Sequence, residues 1–262
     1  MNEREHMLTS VLNCRRLDLY TDDLRLSPEQ EREFSRMMSR RQDGVPLQYI
    51  LGEVEFCGLV FEVNRDVLIP RPETELMADH LVGELQKRSG RPVCVLEIGT
   101  GSGCIAVSLA KQISDLSVHA VDISADALAV ARRNAQRHHV DERIVFEQRD
   151  GLGFWDEIVG GRYDVIVANP PYIPTGDLKT LPPDVRREPV LALDGGPDGL
   201  EFYRHFFQEA PGVLRPEGLL VCEFADGQGE AIRRMAGASW PMTWYRDFSG
   251  TDRFFVAQYC PS

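Results

Sequence analysis

Apolar and polar positions change their period several times along the chain. Over the first 43 residues they follow a helical repeat: Leu8, Val11 and Leu12 share one face, and Phe34, Met37, Met38 and Arg41 recur at helical spacing. Ser27-Pro28-Glu29-Gln30 spells a helix start, with Ser27 as N-cap, Pro28 in the first turn and Gln30 closing a capping box, and Gly44 is the stop. The period then shortens. Glu53–Phe56, a turn at Cys57-Gly58 and Leu59 to Val63 predict a β-hairpin, after which Asn64-Arg65-Asp66 turns the chain into Val67-Leu68-Ile69. Pro70 and Pro72 hold the backbone extended before a helix reaching about Lys87.

From residue 92 onward short apolar runs alternate with helical stretches. Val93 to Ile98, Val118 to Val121, Ile144 to Glu147, Tyr163 to Ala168 and Gly218 to Phe224 read as strands. Between them lie helices over Cys104–Gln112, from Ser124 as cap to Arg137, and around Leu200–Glu209. This alternation predicts βαβ units in a doubly wound parallel sheet. Met242–Tyr245, a turn at Ser249-Gly250 and Arg253–Tyr259 close the chain as an antiparallel hairpin. Three segments are expected: a helical unit over 1–44, a hairpin linker over 45–72 and an α/β domain over 73–262.

Composition narrows the class. The 262 residues are 43% hydrophobic and 27% charged, an ordinary globular mixture that excludes disordered and fibrous readings. The net charge is −12, and nearly all of it lies after residue 43, where 32 acidic residues face 21 basic ones. Such a body repels phosphate backbones and argues against unspecific nucleic-acid binding. The six cysteines form no CxxC and no metal-ligand spacing, so buried reduced thiols and no metal are expected. The amino end has no apolar signal core, and no charge-free stretch is long enough to span a bilayer, so a soluble cytoplasmic protein is expected. His138-His139 reads as a helix end rather than a metal site.

Two stretches carry candidate chemistry. Gly99-Thr100-Gly101-Ser102-Gly103 follows the first strand of the parallel sheet, where alternate glycines let backbone approach a ligand between a strand end and a helix start. Asp122 lies at the next strand tip, placed to take both hydroxyls of a ribose, and Asp150 follows the third strand, placed to face an adenine edge. Glu97-x-Gly99-x-Gly101-x-Gly103 departs from the dinucleotide fingerprint at Cys104 and has the S-adenosylmethionine form. The second stretch, Asn169-Pro170-Pro171-Tyr172, ends the fourth strand. The Asn169 oxygen and the Pro170 carbonyl can accept from an NH2 group, Pro171 stiffens the turn, and Tyr172 offers a flat face. An amide or exocyclic amine is a poor nucleophile, so such a site works by aligning it with a sulfonium methyl at about 3–3.5 Å.

Together these stretches resemble the amino-methyltransferases, which include DNA adenine-N6 and protein glutamine-N5 enzymes. Pro70-Arg71-Pro72-Glu73-Thr74-Glu75, Leu51-Gly52 with Phe56-x-Gly58, Arg187-Glu188-Pro189, Gly195-Gly196-x-Asp198-Gly199-Leu200 and Ser249-Gly250-x-Asp252-Arg253 narrow the resemblance to the HemK-type peptide chain release factor glutamine methyltransferases, over about residues 5–259. The resemblance implies a seven-stranded class I methyltransferase sheet, with a helical domain and hairpin that help hold the substrate protein. It implies that Gly99, Thr100, Gly101, Ser102, Gly103, Asp122, Asp150, Gly151 and Asn169 meet S-adenosylmethionine. Asn169, Pro170, Pro171 and Tyr172 would hold the glutamine of a Gly-Gly-Gln tripeptide, with Asn169, Pro170 and Tyr172 as the catalytic set. Gly151 stands where the family usually carries an aromatic residue, and Ala225 where it often has glycine. The substrate expected is a release factor and the enzyme is expected to be a monomer. The alternatives are an adenine-N6 DNA or RNA methyltransferase, which needs a flipped base and a positive groove, and a non-catalytic adaptor.

Overall fold

The computed structural model describes residues 2–21, 25–87, 91–155 and 163–260. Four helices open the chain: α1 (Glu3–Leu12), α2 (Asp18–Thr21), α3 (Pro28–Gln42) and α4 (Leu47–Leu51). The expected capping box starts α3, with the Gln30 N–H donating to Ser27 Oγ and the Ser27 N–H donating to Gln30 Oε1. Met7, Met37 and Ile50 bury together, so the methionines serve a small separate core.

The hairpin forms from β1 (Glu53–Phe56) and β2 (Leu59–Glu62), paired antiparallel. Phe56 and Phe61 meet edge to face at 6.0 Å and join the core under helix α5 (Pro72–Gln86). The hairpin is thus built into the main body. It does not hang as a free linker.

Beyond α5 the chain makes one seven-stranded sheet in the order β5-β4-β3-β6-β7-β9-β8. Strands β3 (Val93–Ile98), β4 (Leu116–Asp122), β5 (Ile144–Gln148), β6 (Tyr163–Ala168) and β7 (Leu214–Glu223) run parallel. β9 (Asp252–Gln258) pairs antiparallel with both β7 and β8 (Met242–Arg246). Helices α6 (Cys104–Gln112), α7 (Ala125–Arg137), α8 (Glu201–Val213) and α9 (Gly229–Ala236) complete the layers. Strand β6 is buried at every position, as a central parallel strand covered on both faces must be. Helix α8 runs four residues past its expected end, through Pro211, because its last turn forgoes only one backbone bond there. β7 likewise starts early, pairing Leu214 with Tyr163 ahead of an irregularity.

Two buried polar side chains join these parts. Asn134 on α7 is fully buried; its Oδ1 accepts from the Glu62 N–H at 2.7 Å, and its Nδ2 donates to the carbonyls of Glu62 and Ser102 at 3.0 and 2.8 Å. One amide therefore ties the hairpin to the loop after β3. At the end of β3, Glu97 is 1% exposed, and its Oε2 accepts from the Thr100 hydroxyl and the Ala106 N–H at 2.7 and 3.2 Å. Burial pushes its carboxyl up to about 8, so near neutrality it is held mainly as the acid.

Replacing Asn134 by alanine leaves three groups without their partner, so unfolding should become easier by about 2–4 kcal/mol. Arg133→Ala, which removes an exposed ion pair to Glu62, should cost under about 1 kcal/mol. Urea titrations compare the two, and equal losses would refute the tie. Glu97 gives a pH test. Its pKa is raised in the fold, so its contribution is complete below about 4.5 and is lost as pH rises through about 8. The urea midpoint should therefore fall between pH 5 and pH 9, with a shallower fall in Glu97→Gln. An identical pH slope in that variant would contradict the assignment.

Candidate active site

The carboxyl ends of β3, β4 and β6 open into one cavity of about 400 Å³. Its floor is the turn after β3. Gly99 and Gly101 have φ of +72° and +54°, and a Cβ on either would meet nothing within 4 Å. Both face open space, forming a cradle that side chains would fill. Asp122, at the end of β4, accepts from the Gly101 N–H at 2.8 Å through Oδ2 and from the Ser124 N–H at 2.9 Å through Oδ1. Each oxygen keeps a further lone pair for a ligand hydroxyl. Burial raises the Asp122 pKa, while these backbone bonds oppose the rise. Asp150 and Gly151 form another wall, where Asp150 Oδ1 accepts from the Leu152 N–H. Gly151 lies hard against β3, since a Cβ there would sit 2.6 Å from Ile98 Cγ2. Cradle, paired acceptors and volume fit an adenosine-bearing cofactor.

The Asn169–Tyr172 loop leaves β6, next to β3, and neighbouring backbone fixes it. The Ile173 N–H donates to the Leu193 carbonyl at 3.0 Å, and the Gly195 N–H returns to the Ile173 carbonyl at 2.8 Å. Gly199 has φ of +74°, and a Cβ there would lie 2.3 Å from the Tyr172 carbonyl oxygen. That close approach lets Gln228 Nε2 donate to the carbonyls of Tyr172 and Gly199 at 2.9 and 3.1 Å. The chain before α5 is held by Glu188, 4% exposed, whose carboxylate takes the Ile69 N–H at 3.0 Å and the Arg71 guanidinium. Arg71 therefore serves an ion pair with a buried partner.

The structure brings Gly99, Thr100, Gly101, Ser102, Asp122, Asp150, Gly151, Asn169, Pro170 and Pro171 to the cavity wall. It does not bring Gly103 or Tyr172 there. Gly103 turns toward α7, where its Cβ would meet Ala131 Cβ at 3.1 Å, so close helix contact accounts for the third glycine. The Tyr172 hydroxyl points instead to Glu223 Oε1 at 3.3 Å, and burial raises its pKa. Sequence reasoning missed Thr74, whose hydroxyl meets Asn169 Nδ2 at 2.9 Å and Glu223 Oε2 at 2.6 Å. It also missed the apolar rim of Val190, Leu191 and Phe202. Cys104 lines the cavity as a thiol pushed up to about 12 by burial, which keeps it unreactive. Among the described residues no cluster suits a metal ion, and no helix is long and apolar enough to cross a membrane.

Comparison with known proteins gives the family. A family model described as Methyltransferase small domain matches residues 73–180, and one described as PrmC N-terminal domain matches residues 2–52. The release factor glutamine methyltransferase of Geobacter sulfurreducens is 45% identical over 89% of this chain and 80% of its own length. That of Chlorobaculum tepidum is 44% identical over 95% of this chain and 87% of its own. A crystal structure of a methyltransferase from Pyrococcus furiosus, 22% identical, superposes with a TM-score of 0.57 over 84% of this chain and 98% of its own, a likeness of fold. With relatives this similar over most of both chains, the protein belongs to the release factor glutamine methyltransferase family.

Proposed function

We propose that this chain transfers the methyl group of S-adenosylmethionine to the side-chain amide nitrogen of the glutamine in the Gly-Gly-Gln tripeptide of translation release factors. The observation that carries the reading is one cavity lined both by the Gly99–Gly101 cradle with Asp122 and by Asn169 with Pro170. Its relatives are named release factor glutamine methyltransferases, which supports the acceptor class.

The bound cofactor supplies an electrophilic methyl on a sulfonium. The chain supplies position. Gly99 and Gly101 would bring bare backbone to the ligand, and Asp122 would hold the ribose hydroxyls. Asn169 Oδ1 and the Pro170 carbonyl accept the two hydrogens of the acceptor NH2 and aim its nitrogen along the attack line. Partial negative charge on these oxygens favours the cationic nitrogen that develops during transfer. Transfer would break the carbon–sulfur bond as the nitrogen–carbon bond forms, leaving a neutral thioether, and the surplus proton of the methylated, strongly acidic amide would pass to water, so no strong base is needed. Tyr172, outside the cavity wall, holds the loop through Glu223. The helical unit over 1–44 and the hairpin segment over 45–72 provide docking surface for the release factor.

Two substitutions separate binding from turnover. Asp122→Ala removes a charged acceptor and should weaken cofactor binding by about 1.5–3 kcal/mol, read by calorimetry. Asn169→Ala should abolish methylation while changing cofactor affinity little. Normal glutamine methylation by Asn169→Ala, or methylation of duplex DNA in place of a release factor, would refute the reading. Deleting residues 1–43 should lower kcat/KM for whole release factor and spare cofactor affinity; equal loss of both would show that the helices support the catalytic fold instead.

A further inference from the structure

A primary amide presents two ends of opposite polarity, and only its oxygen suits an NH2 acceptor. Something must therefore decide which end of Asn169 faces the cavity. Thr74 lies beside it, 2% exposed, with its hydroxyl oxygen 2.9 Å from Asn169 Nδ2 and 2.6 Å from Glu223 Oε2. An ionised carboxylate has no hydrogen to give, so the Thr74 hydrogen is committed to Glu223. Only the lone pairs of Thr74 remain for Asn169, and they demand its NH2 end. Asn169 Oδ1, with no protein partner among the described residues, is left for the acceptor. The other oxygen of Glu223 receives the Tyr172 hydroxyl at 3.3 Å, so one carboxylate governs both ends of the four-residue loop. Glu223 is 3% exposed, so bulk water does not compete for these bonds.

We propose that Thr74 and Glu223 are positioning residues, a carboxylate–hydroxyl relay that fixes the orientation of the Asn169 amide and makes the site choose an amide NH2 over a carboxylate. The proposal rests on the glutamine-methylating reading and adds the origin of its selectivity. The two residues are 149 positions apart, joined by the meeting of α5 with the end of β7.

The relay has a polarity that can be reversed. In Glu223→Gln the new side chain is able to turn its NH2 toward Thr74. Thr74 then donates to Asn169 Oδ1, and the Asn169 NH2 swings into the cavity, where it suits a carboxylate. Protonating Glu223 has the same effect, because the acid also gains a donor. Burial pushes this carboxyl up to about 7, assisted by Glu73 and offset by Arg253 and the bonds from Thr74 and Tyr172. The Tyr203 hydroxyl, on the Glu223 carbonyl, and the buried Cys104 thiol also face it, and burial keeps both neutral. A pKa raised above the usual carboxylate range means the ionised, correctly oriented form prevails above about pH 7 and is lost below it.

The test uses whole release factor in its Gly-Gly-Gln form and in a Gly-Gly-Glu form. Wild-type enzyme should methylate the first and bind the second weakly, with kcat/KM rising through about pH 7. Glu223→Gln and Thr74→Val should each lower kcat/KM for glutamine about 10- to 100-fold. Thr74→Ser, which keeps the hydroxyl, should recover most of the loss. Glu223→Gln should also lose the acid limb of the pH profile and shift the ratio of glutamate-form to glutamine-form affinity about tenfold or more toward glutamate. Cofactor affinity and thermal midpoint, measured alongside, separate this from misfolding. An unchanged affinity ratio in Glu223→Gln, with the pH limb intact, would overturn the relay and leave the two residues with a structural role only. Wild-type binding of the glutamine form without turnover would overturn the methyl-transfer reading and leave the ratio readable. Binding of neither form would overturn both.

Discussion

Hydrogen-bond acceptors buried at the carboxyl edge of the sheet hold the functional rim of this molecule in place. Parallel strands release their chains there as loops and helix starts, whose backbone N–H groups have no partner within the sheet. Three carboxyl groups meet that need, and a fourth, Glu223, takes side-chain hydroxyls beside them. Glu97 takes the Thr100 hydroxyl and the Ala106 N–H, and Asp122 takes the Gly101 and Ser124 N–H groups. Glu188 takes the Ile69 N–H and Arg71, and Glu223 takes Thr74 and Tyr172. Asp122 and Glu223 each gather bonds from two separate segments, while Glu97 and Glu188 each fix one stretch of chain. Burial raises the pKa of Glu97, Asp122 and Glu223, against the bonds they accept. Stability given up at this edge is what keeps the loops in one arrangement.

The segment from Arg187 to Gly199 shows how far such ties reach. Arg187 donates to the Asp43 carbonyl of the helical unit, and Glu188 clamps the chain before α5. Leu193 and Gly195 bond the strand-like continuation of the Asn169–Tyr172 loop. A single irregular stretch therefore touches the amino-terminal helices, the entry to the main body and the amide-holding loop. Irregular backbone here is as determined as any helix, because its polar groups are consumed by named partners.

Much of this was legible in the sequence, and the physical reason is locality. The capping box at Ser27, the apolar runs of β3 and β6, and the cap at Ser124 depend on residues within a few positions of one another. Asn169 to Tyr172 was readable as a site because a strand end precedes it. Helix α9 gave no such sign, and α4 is only five residues long. Gly103 and Tyr172 sat in the right strings but turned away from the cavity, which only the packing of α7 and the side chain of Glu223 decide. The relay through Thr74 was invisible because its members come from α5, β6 and β7. Periodicity reports which face a residue occupies, and says nothing about which distant side chain meets it.

The contact between Gly151 and Ile98 carries a consequence for descent. Any side chain at 151 places its first carbon 2.6 Å from Ile98 Cγ2, inside the distance at which carbon atoms tolerate one another. A lineage acquiring a larger residue at 151 must first trim Ile98 or displace the loop, and trimming Ile98 alone opens a void beside β3. The two positions are therefore coupled, and a double-mutant cycle across them is expected to be strongly non-additive. The side chain at position 98 thus sets how much room position 151 has.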